Sequence, residues 1–280
     1  MLERAEPAPP LGLTVGGGAR LGWAPVTTIV ANSVLPARRY PVSLLTEDGV
    51  RLVGEWSLPA EDDPAAVIVF CHPLPTHGGS MDSHLIRKAA WRLPALAGIG
   101  VLRFNSRGTT AALGSSEGSF EGNEGEGEDL AAALQEVVAQ GFPDPWAVGW
   151  SFGTDVILRW GNVDPVAGAV LLSPPGRWSD EADVAGWATT GRPLTALVPE
   201  LDEFASPDDV ASRFAGVPQA SVVGVAGAQH LWVGERYSRI ALDGIVSAVL
   251  PTAAPLPTTW SGPAQRWSDV RAFAQMDDQA

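Results

Sequence analysis

Trp146-Ala147-Val148-Gly149-Trp150-Ser151-Phe152-Gly153-Thr154-Asp155-Val156-Ile157-Leu158-Arg159-Trp160 is the stretch whose reading decides the fold. WAVGW is a short, continuous apolar run of the kind that forms a strand buried on both faces. TDVILRW carries the residue types of a helix. Between them, Gly149-x-Ser151-x-Gly153 fits a sharp strand-to-helix turn that holds a serine hydroxyl above a sheet, with glycine where a side chain would collide. The pentapeptide alone is weak evidence, because Gly114-Ser115-Ser116-Glu117-Gly118 fits the same pattern. Ser116, however, follows no strand and leads into an acidic, glycine-rich stretch, so context selects Ser151. The competing reading of Ser151 is a turn serine that caps the next helix.

Further apolar runs lie on either side: AVIVFC at 66–71, GVLRF at 100–104, AGAVLL at 167–172, LTALV at 194–198 and ASVVGV at 220–225. Helix-length segments separate them, with helical spacing in Leu85, Ile86, Ala89, Ala90, Leu93 and in Leu130, Leu134, Val137, Val138. Upstream, two alternating runs flank Glu47-Asp48-Gly49, a hairpin signal. Alternation of strand and helix predicts an α/β fold, a mostly parallel, doubly wound sheet of about eight strands with helices on both faces. Functional groups then gather at the carboxyl ends of the strands. The chain divides into an extension at 1–40, a catalytic domain at 41–250 and a Pro-rich linker with a C-terminal appendage at 251–280. Within that appendage, Trp267, Val270, Phe273 and Ala274 suggest a short amphipathic helix. GSSEGSFEGNEGEGED at 114–129 reads as a mobile loop.

Of the 280 residues, 32 are acidic and 18 basic, a formal charge of −14 that offers no positive field for nucleic acid or anionic lipid. A single cysteine, Cys71, cannot make an intrachain disulfide and is compatible with a reducing compartment. Glu3, Glu6 and a proline cluster stand where an export signal would show a basic start and an apolar run. No apolar run approaches the roughly 20 residues that span a bilayer. The expectation is a soluble, cytoplasmic protein that binds neither nucleic acid nor membrane.

A serine hydroxyl stays protonated at neutral pH, so a nucleophilic role for Ser151 requires a base beside it and a third group to hold that base. On this type of turn the order along the chain is serine, acid, histidine, with the histidine after the last strand. Among four histidines only His230, in VAGAQHLWVGE, fits. Asp202 is the candidate acid, just past LTALV, with Glu200 and Glu203 as alternatives. The bland readings are a loop histidine and a surface acid. Acyl transfer also needs backbone N–H donors for a developing oxyanion. Phe152 supplies one; Leu74 is the candidate for the other, since Pro73 and Pro75 have no N–H, and Gly78 and Gly79 remain open. His72, His77 and His84 lack the spacing of a zinc site, and no phosphate-binding glycine pattern follows AVIVFC, so neither metal nor cofactor is expected.

At three segments, CHPLPTHGGSM (71–81), RFNSRG with SSEG and GEGEDL (103–130), and GWSFG (149–153), the chain resembles the α/β-hydrolase superfamily. The resemblance is to the small serine hydrolases grouped with dienelactone-hydrolase-like and prolyl-oligopeptidase-like esterases. It covers about residues 41–250 and implies an α/β-hydrolase fold in which Ser151, Asp202 and His230 occupy the triad positions and Arg107 and Gly108 are turn and scaffold residues. The chain departs from relatives where TTAAL (109–113) interrupts the approach to a glycine-serine pair. Only Ser173–Pro193 is available for a cap, so no large lid is expected. Trp178, Trp187 and Trp232, with Phe152, are candidate walls of an acyl pocket, against the plainer reading of core packing. The implied activity is hydrolysis of a small-molecule ester, thioester or lactone. A serine peptidase and a non-catalytic binding protein of the same fold are the alternatives.

Overall fold

The computed structural model describes residues 26–266. The proposed amphipathic segment around Trp267, Val270, Phe273 and Ala274 lies outside these residues, as does most of the N-terminal extension.

Eight strands form the main sheet: β1 (Arg38–Leu45), β2 (Arg51–Leu58), β3 (Ala66–Cys71), β4 (Ile99–Phe104), β5 (Trp146–Trp150), β6 (Gly168–Leu172), β7 (Leu194–Leu201) and β8 (Ala220–Gln229). Their spatial order is β1-β2-β4-β3-β5-β6-β7-β8. β2 runs antiparallel to both neighbours, and the ladders from β4 to β8 are all parallel. The hairpin joining β1 to β2 turns at Gly49, whose φ of 88° is where a Cβ is disfavoured.

Five of the six apolar runs form central strands because they feed two cores at once, whereas ASVVGV forms the edge strand β8, most of whose residues are not buried. Val67, Val69 and Cys71 of β3 pack into one cluster, and Ile68 and Phe70 pack into the other. β6 divides the same way, with Ala169 and Leu171 on one face and Val170 and Leu172 on the other. The first core is covered by α2 (Gly125–Ala139), α3 (Phe152–Trp160), α4 (Glu181–Thr190) and α5 (Pro207–Arg213). The second is covered by α1 (His84–Ala97) and α6 (Glu235–Val249). In α1 the apolar residues Leu85, Ile86, Ala89, Ala90 and Leu93 are fully buried, as their helical spacing predicts.

The acidic, glycine-rich stretch is not the mobile loop expected at 114–129. Thr110–Ala111 and Gly114–Ser115 pair as a short hairpin, and α2 begins at Gly125. Arg107 is 1% exposed and gathers the carboxylates of this region: its Nη1 donates to Asp48 at 2.9 Å and Glu121 at 3.0 Å, and its Nε to Asp129 at 3.0 Å. Buried Glu126 accepts the amides of Glu121 and Asn123. Low complexity hid the order because the ordering cation comes from the preceding strand's exit turn.

The described parts of the two extensions meet. Thr27–Thr28 pairs antiparallel with Thr259–Trp260, and Ser33–Val34 with Gln265–Arg266. Leu35 donates its amide to the Trp91 carbonyl of α1, and Leu256 is buried against the α1–α6 layer. Among the described residues, no helix is long and apolar enough to cross a membrane.

Candidate active site

Ser151 sits between β5 and α3 with φ 53° and ψ −120°, a backbone conformation that costs a non-glycine residue about 1–3 kcal/mol. The surroundings hold it there. Its amide donates to Leu172 O at 2.9 Å, and its carbonyl accepts the Thr154 amide and hydroxyl. Glycine is required on both sides: a Cβ on Gly149 would lie 2.5 Å from Gly153 O, and one on Gly153 would lie 2.3 Å from Cys71 O. The strained turn therefore presents the hydroxyl at the carboxyl edge of the sheet.

Ser151 Oγ lies 2.8 Å from His230 Nε2, and His230 Nδ1 lies 2.9 and 3.0 Å from the two carboxylate oxygens of Asp202. An ionised carboxylate only accepts, so the imidazole carries its proton on Nδ1 and offers Nε2 to the serine hydroxyl. The Asp202 and His230 side chains are 2% and 8% exposed, which strengthens their interaction by excluding water. Asp202 follows β7 directly, and a register shift between Pro199 and Leu201 re-aims the chain there. The alternatives are disposed differently: Glu200 accepts the Gly227 amide at 2.7 Å, and Glu203 is exposed. β8 runs on to Gln229, beyond the apolar run at 220–225, so His230 emerges at the strand end.

Several groups that support His230 were not legible in the sequence. Its carbonyl accepts Ser173 Oγ–H at 3.1 Å and Trp150 Nε1–H at 3.2 Å. The next carbonyl, Leu231 O, lies 2.7 Å from His84 Nε2. Phe204 places its ring 4.5 Å from the imidazole, edge to face, and the Arg177 guanidinium lies over Phe204. A serine after a strand or a histidine at a helix start carries no sequence mark of such a role, since each acts on a backbone group contributed from far along the chain.

Phe152 opens α3 beside Ser151, and its amide is one of the helix N-terminal N–H groups without an intrahelical acceptor. Leu74 precedes the 3₁₀ turn Pro75–His77, and its carbonyl accepts the amides of His77 and Gly79. Among the described residues neither the Phe152 nor the Leu74 amide donates to another protein group.

The tryptophan expectation needs correction. Trp178 is half-buried and packs edge to face on Phe152 at 5.2 Å, with Phe120 on the same ring at 5.4 Å. Trp187 and Trp232 are fully buried: Trp187 is in the core under α4 with its Nε1–H on Leu158 O, and Trp232 is in the other core with its Nε1–H on Ser173 Oγ. Neither walls an open pocket, because each ring fills sheet–helix space and satisfies its single polar group internally. The decoy Ser116 is also buried; its hydroxyl donates to Asn105 O and accepts the Val53 amide, so it is a structural bridge. His72, His77 and His84 each bond to separate partners, and among the described residues no three His, Cys, Asp or Glu side chains gather as metal ligands would.

No protein-family model matches the chain, and no curated protein matches it in sequence. Solved structures do. An α/β serine hydrolase without a lid from Xanthomonas campestris is 27% identical, with a TM-score of 0.61 over 78% of this chain and 99% of that one. An α/β serine hydrolase homologue from Coxiella burnetii is 24% identical, with a TM-score of 0.61 over 72% and 95%. An esterase from Pyrococcus furiosus is 20% identical, with a TM-score of 0.57 over 73% and 91%.

Proposed function

We propose that this chain, which has the α/β-hydrolase fold, is a serine hydrolase that cleaves a small-molecule carboxylic ester, thioester or lactone through an acyl-serine intermediate. The observation that carries the reading is the continuous hydrogen-bonded chain Ser151–His230–Asp202 at the edge of the sheet.

In this reading His230 Nε2 takes the Ser151 proton as Oγ attacks the substrate carbonyl, and Asp202 stabilises the imidazolium that forms. The amides of Phe152 and Leu74 face the developing oxyanion. His230 then protonates the departing alcohol or thiol. Water enters and gives its proton to His230 as its oxygen attacks the acyl carbonyl, and His230 returns that proton to Ser151 Oγ as the C–Oγ bond breaks and the acid leaves. Between β6 and β7 the chain builds only the ten-residue α4, which supports an open cleft whose apolar wall is formed by the half-buried Phe120 and Trp178, both packed on the buried Phe152 ring. The lone, buried cysteine supports a cytoplasmic setting.

A fluorophosphonate probe tests the assignment. Stoichiometric labelling that is lost in Ser151→Ala and kept in Ser116→Ala is expected, together with turnover of nitrophenyl esters. Folded wild-type protein that takes no label would instead indicate a non-catalytic binding protein. Amide cleavage faster than cleavage of the matched ester would indicate a peptidase.

A further inference from the structure

We infer that His72 is a positioning residue for the oxyanion pocket: held in one tautomer between Ser106 and the Pro73 carbonyl, its imidazole sets the direction of the Leu74 amide. The inference rests on reading the site as an acyl-transfer centre.

His72 ends the exit of β3 and is 3% exposed. Its Nε2 lies 3.0 Å from the Ser106 amide nitrogen and 3.0 Å from Ser106 Oγ. A backbone N–H can only donate, so Nε2 is an acceptor and bears no proton. The ring proton is therefore on Nδ1, which donates to Pro73 O at 2.6 Å. Burial pulls the imidazole pKa down to about 4, in keeping with a neutral ring. A second proton would have to enter on Nε2, against the Ser106 N–H, and could do so only if Ser106 withdrew.

The Pro73 carbonyl and the Leu74 amide belong to one peptide unit. That unit is trans, since the cis bonds among the described residues precede Pro165 and Pro255. In a trans plane the C=O and N–H point to opposite edges, so a carbonyl pinned by His72 aims the Leu74 N–H away from His72. The following carbonyl, Leu74 O, is fixed by the His77 and Gly79 amides at 3.1 and 3.0 Å. Gly79 approaches so closely that a Cβ there would lie 2.0 Å from Pro73 O. The loop also abuts the start of α3, where a Cβ on Gly153 would lie 2.9 Å from His72 O. His72 thus ties the exit turns of β3 and β4 to the helix that carries the Phe152 amide. Its Nε2 is occupied by Ser106, so it exchanges no proton with substrate, and its contribution is geometric.

Replacement separates this role from simple packing. His72→Leu removes both ring bonds, His72→Asn keeps an N–H near the Nδ1 position, and His72→Gln, with its carboxamide at the Nε2 position, can still accept the Ser106 N–H through Oε1 but loses the Nδ1–H donor to Pro73 O. In His72→Leu, kcat on a nitrophenyl ester is expected to fall about 10²-fold, the scale of a small misplacement at a reacting centre. KM and the acid-limb pKa of kcat/KM stay unchanged, because His230 and substrate binding are untouched. Affinity for an aryl trifluoromethyl ketone, which forms a tetrahedral oxyanion on Ser151, falls in the same ratio as kcat. His72→Asn recovers most of both. His72→Gln shows the leucine pattern and serves if the leucine variant does not fold. Folded variants whose kcat stays within about twofold of wild type, or whose kcat falls with ketone affinity unchanged, overturn the assignment. Wild-type protein that neither turns over the ester nor takes the fluorophosphonate probe overturns the acyl-transfer reading itself, and this inference with it.

Discussion

Asp202 Oδ1 accepts from both His230 Nδ1 and the Phe204 amide, so one oxygen orients the imidazole and closes the acid's own loop. Asp202→Asn can set an amide donor against Nδ1–H and favours the wrong tautomer. An approximately 10⁴-fold loss of kcat in a protein that still melts cooperatively is expected. An unchanged rate, measured on a nitrophenyl ester, would move the role to Glu203, since Glu200 is engaged by Gly227. Ser116 offers the contrasting case. Removing its hydroxyl leaves Asn105 O and Val53 N without their partner, so Ser116→Ala should lower stability by about 1–3 kcal/mol in denaturant melts, with kcat intact. His72 gives a pH signature. Burial holds its pKa at about 4 in the fold, below its ordinary value of 6.5, so the unfolded chain binds the proton first. Its contribution to stability is full above pH 6.5 and is lost as pH falls towards 4, with a slope of up to about 1.4 kcal/mol per pH unit. Urea melts across that window should show the slope in wild type and lose this component in His72→Leu.

Elements are placed here by contacts that local pattern does not encode. The β7 run was readable as LTALV, yet the strand continues to Leu201, and its irregular pairing beyond Pro199 with β8 decides which of three neighbouring carboxylates meets the histidine. The segment ahead of α2 has the composition of a mobile linker, but Arg107 orders it from the β4 exit. Arg107→Met would leave Asp129, itself fully buried, without its counter-charge, at a cost of about 3–5 kcal/mol. Residues 117–124 should then become sensitive to limited proteolysis. A variant with wild-type stability and protease resistance would show that the acidic loop orders without its cation. By contrast, the α1 helix followed from its own apolar spacing, because a single face buried on a sheet is a periodic demand on neighbouring residues.

At the scale of the molecule, the described parts of the two extensions, 26–40 and 251–266, close against each other and against the α1–α6 layer, on the side of the sheet away from α2–α5. Leu256 anchors the C-terminal one at 4% exposure. Leu256→Ala is expected to cost about 2–4 kcal/mol in urea melts while leaving kcat unchanged; loss of rate without loss of stability would mean that this layer reaches the site. Much was settled by sequence alone. Strands buried on both faces require uninterrupted apolar runs, and a serine on a strained turn requires glycine on either side, so β3 to β6, the parallel sheet and Ser151 could be read directly. His230 and the carboxylate cluster at 200–203 were legible as candidates from their places after the last strands. Tertiary structure decided which of Glu200, Asp202 and Glu203 contacts the His230 ring, the burial of Trp187 and Trp232, the order imposed by Arg107, and the supports that Ser173, Trp150 and His84 give to the histidine loop. Each of these depends on a partner brought in from a distant part of the chain, and local composition does not reveal which partner will arrive.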